Sequence, residues 1–321
     1  MARCPGSDIR IVSPRVRLRM SEPTGHQKIL DSSVVLDLTF AMPARSDTEA
    51  NVKSTTPVGR PPTILVFDSG LGGLTVLREI VRTRNDARYV YVADDAFFPY
   101  GHHSEEGIIA RVVPLIGELI SAHHPDIVVI ACNTASTLVM PHLRERYPVP
   151  FVGTVPAIKP ACAASKTKRV SVLGTNGTVQ REYTRALIRD FAQGCEVTLV
   201  GSAELASLAE AALSGGVVSD EQISAELKPC FVGAGEDPRR TDTIVLACTH
   251  FPLLVDRLNL LAPWPVDWID PAPAIARRVA NLLSPPAGET FETGARMIFT
   301  SGRPHTLSAT LKPFFGGRVL S

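Results

Sequence analysis

Ile127-Val128-Val129-Ile130-Ala131-Cys132-Asn133-Thr134 and Thr243-Ile244-Val245-Leu246-Ala247-Cys248-Thr249-His250 are two versions of one unit, set far apart in the chain. In each, a short apolar run rich in β-branched residues ends in a cysteine followed by hydrogen-bonding side chains. Such a run, bounded by polar residues, reads as a strand buried on both faces. Each cysteine falls just past its strand, where the next helix is expected to begin.

The same unit recurs outward from this pair. Thr63-Ile64-Leu65-Val66-Phe67 closes on Asp68-Ser69-Gly70, and Leu74, Leu77 and Val81 follow at helical spacing. Val170-Ser171-Val172-Leu173 leads into Gly174-Thr175-Asn176-Gly177-Thr178 and a helix from Tyr183 to Phe191, and Cys248 leads into a helical segment from Leu253 to Leu261. Buried strands alternating with helices predict an α/β chain with parallel sheets covered on both sides. The duplication predicts two pseudo-symmetric doubly wound domains facing each other across an active-site cleft. Polar residues and glycines gather at the carboxyl ends of the strands, where such folds bind ligands. The first domain is expected to take residues 62–155 plus about 268–315, and the second 156–267. Residues 1–61 are rich in Ser, Thr, Pro and Arg, lack a sustained period and end in a Pro-rich linker, so a disordered tail is expected. Pro114 is expected to kink or break the helix from Ile108 to Leu119, and residues 316–321 to form an edge strand or a frayed end.

Composition narrows the function. The 321 residues carry 33 Lys and Arg against 32 Asp and Glu, a net charge of +1 that suggests no nucleic-acid or membrane partner. No apolar run approaches the roughly 18–20 residues that span a bilayer, so a cytoplasmic protein is expected. The six cysteines are scattered without CxxC or Cys/His zinc spacing, which argues against a disulfide framework or a metal site. Cys162, Cys195 and Cys230 lack a catalytic setting and read as structural, and Cys4 falls in the tail.

A cysteine at a helix N-terminus sits among unpaired N–H groups at the positive end of the helix dipole, which is expected to lower its pKa. Two buried structural cysteines are the plainer alternative, but their matched positions favour paired chemistry. Nucleophilic catalysis would ask for one cysteine and a histidine base. Interconverting enantiomers asks for one group to remove a proton from one face and another to return it on the opposite face, which a symmetric pair of thiols suits. No lysine in these loops suggests a Schiff base, and no metal spacing is present.

With these motifs on hand, the chain resembles the glutamate racemases of the aspartate/glutamate racemase superfamily from Ile64 to about Leu283. The resemblance rests on the joint order of Phe67-Asp68-Ser69-Gly70-Leu71-Gly72-Gly73-Leu74, Phe98-Pro99-Tyr100-Gly101, Ala131-Cys132-Asn133-Thr134-Ala135, Gly174-Thr175-Asn176-Gly177-Thr178 and Cys248-Thr249-His250-Phe251-Pro252. It implies Cys132 and Cys248 as the two bases, one for each enantiomer of glutamate. Asp68 and Ser69 would lie at the substrate's amino group near Cys132, where the Asp68 carboxylate would act in catalysis by accepting its proton or positioning it. Tyr100 and Gly101, after Pro99, would close over the side-chain carboxylate through a backbone N–H. Asn133, Thr134 and Thr249 would hold the substrate's polar groups, with further hydroxyls from Thr175 and Thr178. His250 would assist Cys248, with Glu210 behind it. No cofactor and no metal are implied; the small-molecule partner is glutamate, the D-enantiomer serving peptidoglycan synthesis, and a homodimer is the candidate assembly. Helix capping is the competing role for Asp68, Thr134 and Thr249. Ala247 stands where the family commonly has glycine, and Asp94-Asp95-Ala96 where it has Asp followed by Ser or Thr.

Other readings are available. Gly70-Leu71-Gly72-Gly73, with Asp94 and Asp95 downstream, faintly suggests a dinucleotide fold, although the glycine spacing is wrong and Asp68 would repel a pyrophosphate. Aspartate or hydantoin racemisation, single-cysteine decarboxylation, or a binding protein that has lost turnover are the remaining rivals.

Overall fold

The computed structural model describes residues 9–12, 60–192, 194–233, 239–284, 295–302 and 314–315. A short strand comes first, β1 (Ile9–Val12). The chain then lays down β2 (Thr63–Asp68), α1 (Leu74–Thr83), β3 (Arg88–Ala93), α2 (Glu105–His123), β4 (Ile127–Ile130), α3 (Asn133–Arg146) and β5 (Phe151–Gly153). It crosses through α4 (Ile158–Ala164) into β6 (Arg169–Thr175), α5 (Asn176–Gln180), α6 (Glu182–Phe191), β7 (Glu196–Ser202), α7 (Leu205–Leu213), α8 (Asp220–Leu227), β8 (Thr243–Ala247), α9 (Val255–Leu261) and β9 (Asp267–Ile269). It returns through α10 (Ala272–Leu282) and β10 (Ala295–Phe299).

The strands form two sheets, ordered β10-β3-β2-β4-β5 and β1-β7-β6-β8-β9, and every pairing is parallel. The inner order of the two sheets is the same, so β4 and β8 occupy equivalent places. Alternation along the strands explains the layering. Ile64 and Val66 of β2 face one core with α1 and α10, while Leu65 and Phe67 face another with α2 and α3. In β8, Ile244 and Leu246 pack towards α7, α8 and α9, whereas Val245 and Ala247 pack towards α4, α5 and α6. These are two α/β domains, each with helices on both faces of its sheet.

Three local features differ from the sequence reading. Helix α2 runs unbroken through Pro114, capped by the Ser104 hydroxyl accepting from the Gly107 N–H at 3.1 Å. After Cys248 the chain makes a turn and a single 3-10 segment, Phe251–Leu254, before α9 begins. Ile9–Val12 pairs with β7 at the edge of the second sheet, so this piece of the expected tail is a strand. The rest of residues 1–59 and residues 316–321 lie outside the described residues. Among the described residues no helix is long and apolar enough to cross a membrane.

Candidate active site

In doubly wound sheets the ligand crevice opens where the strand order reverses. In the first sheet that place lies between the carboxyl ends of β2 and β4, which carry Asp68 with Ser69, and Cys132. In the second it lies between β6 and β8, which carry Thr175 and Cys248. The two crevices face each other and share one cavity of about 300 Å3, counted to its open mouth. Its wall contains Ser69, Phe98, Pro99, Tyr100, Gly101, Cys132, Asn133, Thr134, Thr175, Ala206, Cys248, Thr249 and His250.

Each thiol has its own partner. The Cys132 thiol donates to the Ser69 hydroxyl at 3.6 Å, and Cys248 Sγ lies 3.7 Å from His250 Nδ1. His250 Nε2 is 2.8 Å from Glu210 Oε1, which brings α7 into the second half-site. The Gly72 nitrogen lies 3.2 Å from His250 Nε2, a close packing contact because that ring nitrogen donates to Glu210. Asp68 is wholly buried behind the wall; its Oδ2 accepts from the Gly70 N–H at 3.1 Å and its Oδ1 from the Thr249 hydroxyl at 3.1 Å. Asp68 and Thr249 therefore join the two domains rather than cap helices. Cys132, not Thr134, occupies the N-cap of α3.

At the other end of the cavity three hydroxyls form a triangle. Thr134 Oγ1 lies 3.1 Å from that of Thr175 and 3.2 Å from that of Thr178, and these two are 3.0 Å apart. Thr178 is buried and does not reach the wall. The Asn133 side chain is buried with both its amide oxygen and its nitrogen unpartnered. An orphaned buried amide on a cavity wall is a common sign of a site awaiting a polar ligand. The turn carrying Pro99, Tyr100 and Gly101 contains a cis Phe98–Pro99 bond. It is pinned from behind, because the Tyr100 hydroxyl donates to Asp94 Oδ2 at 2.6 Å. Asp94 also accepts from Arg111 at 2.7 and 3.1 Å and from the Thr300 hydroxyl at 2.6 Å. Burial works against its charge, yet the donors of Arg111, Thr300 and Tyr100 hold its carboxyl below the usual range. With Asp94 so occupied and His250 packed against the glycine turn, no room is left for the dinucleotide reading.

Residues 64–279 match the family model described as Asp/Glu/Hydantoin racemase. The chain belongs to that family. Glutamate racemases of Brucella canis and Rhizobium meliloti are 53% and 52% identical to this racemase over 259 and 260 residues, covering 79% and 80% of it and 92% and 93% of their own lengths. The solved glutamate racemase of Escherichia coli, in complex with L-glutamate and the activator UDP-MurNAc-ala, superposes with a TM-score of 0.67 at 40% identity. That match covers 79% of this chain and 92% of the other. The Aquifex pyrophilus glutamate racemase gives a TM-score of 0.60 at 30% identity, covering 81% and 96%.

The electrostatics of the racemase depart from the sequence reading at Cys132. Its position at the start of α3 was expected to lower the thiol pKa, but burial pushes it up to about 12 and the Asp68 charge adds to the rise. The Ala135 N–H and the Ser69 hydroxyl pull the other way and are outweighed. At the second half-site, burial opposes protonation of His250, but Cys248, Glu210 and Asp68 together carry its pKa well above the ordinary value. The half-sites are thus unequal: a neutral thiol beside a hydroxyl faces a thiol beside an imidazolium. Phe98 and Ala206 complete the wall without having been singled out. Phe98 stood in a quoted motif and packs on the His250 ring, 5.4 Å between centroids. Ala206 offers no local signal, because only the packing of α7 brings it there. Among the described residues no cluster of His, Cys, Asp or Glu has the geometry to hold a metal ion.

Proposed function

We propose that this racemase interconverts L- and D-glutamate without a cofactor, by two-base proton transfer at Cα between Cys132 and Cys248. The observation that carries the reading is the pair of thiols, from equivalent positions in the two domains, on the wall of one cavity. In one direction a thiolate takes the Cα proton and the electron pair passes into the adjoining carboxylate. The opposite thiol then delivers its proton to the other face and becomes the thiolate. The reverse reaction exchanges the roles.

The neighbouring groups fit this sequence of steps. His250, held by Glu210, stands against the Cys248 sulfur at 3.7 Å, where it can exchange a hydrogen bond with that base. Cys132, a thiol raised first by burial and then by the Asp68 charge, donates in one direction and serves as the base in the other, where the substrate's ammonium offsets the Asp68 part of that rise. Ser69 and Asp68 serve the amino group. The orphaned Asn133 amide and the hydroxyls of Thr134 and Thr175 serve the carboxylates, with Thr178 behind them, while Thr249, whose hydroxyl donates to Asp68, lines the wall. The Tyr100 and Gly101 backbone closes the far end, since the Tyr100 hydroxyl is engaged by Asp94. Helix and turn N–H groups can bind carboxylates without a cationic side chain in contact. Glutamate is favoured over aspartate by the names of the relatives, and D-glutamate for peptidoglycan, made in the cytoplasm, is the role that follows.

The test is circular dichroism of the purified enzyme with L-glutamate alone, repeated with L-aspartate. Decay to zero with glutamate only is the expected result, and decay with aspartate instead would move the enzyme to another branch of the family. Cys132→Ala and Cys248→Ala should each lower full racemisation by about 100- to 10,000-fold, the range of a lost general base. Wild-type turnover in either variant would sink the two-base scheme.

A further inference from the structure

A buried arginine outside the proton-transfer groups spans the two domains beside the cavity. Arg181 follows α5 in the second domain and is 7% exposed. Its Nε donates to the Gly177 carbonyl at 2.9 Å, which steadies the side chain on its own domain. Its Nη1 crosses to α3 of the first domain, donating to the Thr134 carbonyl at 3.1 Å and the Thr137 hydroxyl at 3.0 Å. Glu105 lies 3.8 Å from Nε and is largely exposed, so that ion pair adds little.

The residue gripped by this crossing is the one whose hydroxyl closes the triangle. Thr134 belongs to the first domain and Thr175 and Thr178 to the second, so the triangle is a join between domains as well as part of the wall. Three neutral hydroxyls have no fixed donor pattern and cannot set the spacing of two domains alone. A planar guanidinium, with donors fixed in a fork, can.

We infer that Arg181 is a positioning residue for racemisation: it latches α3 to the second domain and so holds Thr134 and Thr175 at the spacing that grips one substrate carboxylate. The inference rests on the glutamate reading above. Burial lowers the Arg181 pKa, with Glu105 and Cys132 opposing it, so the latch acts through its hydrogen bonds to Gly177, Thr134 and Thr137. Lysine has one compact ammonium and cannot serve Gly177, Thr134 and Thr137 together.

The experiment compares steady-state racemisation of L- and D-glutamate by wild type, Arg181→Ala, Arg181→Lys and the control Arg189→Ala. Arg189 is an exposed residue of α6 paired with Glu182. Both Arg181 variants should lose kcat/KM by about 100-fold, the scale of a misplaced contact, mainly through KM. Millimolar guanidinium should restore part of the loss in Arg181→Ala, and Arg189→Ala should match wild type. Wild-type kinetics in Arg181→Lys would overturn the latch, and that variant suffices if Arg181→Ala does not fold. A fall in kcat and melting temperature together, with KM unchanged and no response to guanidinium, would also overturn it. A wild type inactive on glutamate would count against the function reading, whereas an active wild type with unaffected Arg181 variants would defeat the latch alone.

Discussion

At Asp68 a carboxylate sits where water does not reach. Burial raises its pKa from 3.8 to about 6, against the lowering effects of His250 and of donors from Gly70, Gly73 and Thr249. Between those two values the folded chain binds more protons than the unfolded chain, so stability falls as pH rises through the window and stays lower above it. The shift is worth about 3 kcal/mol at most. Asp68→Asn should therefore melt above wild type at pH values well above the folded pKa, with the difference vanishing below the unfolded one. A difference in calorimetric melting temperature that ignores pH would contradict this. The wild-type kcat/KM should carry an acid limb near the same folded pKa, and the variant should lose both that limb and most activity. Stability is given up at this residue to keep a charge beside Cys132. The identity of Asp68 was legible in the sequence, but the direction of the Cys132 shift was not. A helix N-terminus can be read from local pattern, whereas desolvation depends on how two domains close over the thiol.

The turn from Gly70 to Gly73 shows what an element contributes. Its backbone is pinned by the Tyr91 hydroxyl, which donates to the Gly70 carbonyl at 2.7 Å. A Cβ on Gly72 would overlap the His250 ring, so the glycine is there to let β2–α1 approach the second domain. Gly72→Ala should displace His250 from Cys248 and lower racemisation by about 10- to 100-fold with the fold intact. Cα-deuterium washout should survive from the enantiomer that Cys132 deprotonates, while equal loss from both enantiomers would mean that His250 serves both half-sites. The strands of this element scale were legible because apolar runs and polar stops alternate along the sequence. The passage of α2 through Pro114 was not, because packing of the helix on both β-sheet and α3 overrides a local helix-breaking preference.

Across the whole molecule, the site is made of joins. Thr249 to Asp68, Thr134 to Thr175 and Thr178, His250 to the glycine turn and Arg181 to α3 all run between domains. A ligand held by both sides should therefore stabilise the chain as one unit. Either enantiomer of glutamate should raise the melting temperature, by the equivalent of about 2.7 kcal/mol at a hundredfold excess over Kd. L-Aspartate should give a smaller rise at the same concentration. An equal rise with aspartate in differential scanning fluorimetry would argue against glutamate as the fitted substrate.

The sequence by itself determined the two strand–cysteine units and the parallel α/β class, because strand periodicity and the polar residues that end each strand are local properties, while most of the cavity wall beyond the two cysteines came from the family resemblance. Glu210 behind His250 was legible only through resemblance, and Ala206, Asp94, Arg111 and Arg181 not at all as parts of the site. Their roles depend on helices and turns distant in sequence meeting across a cleft. Only the tertiary structure decided that burial raises the Cys132 thiol, which carboxylate is desolvated and which arginine spans the domains, since burial and the distance between charges exist only once both domains are in place.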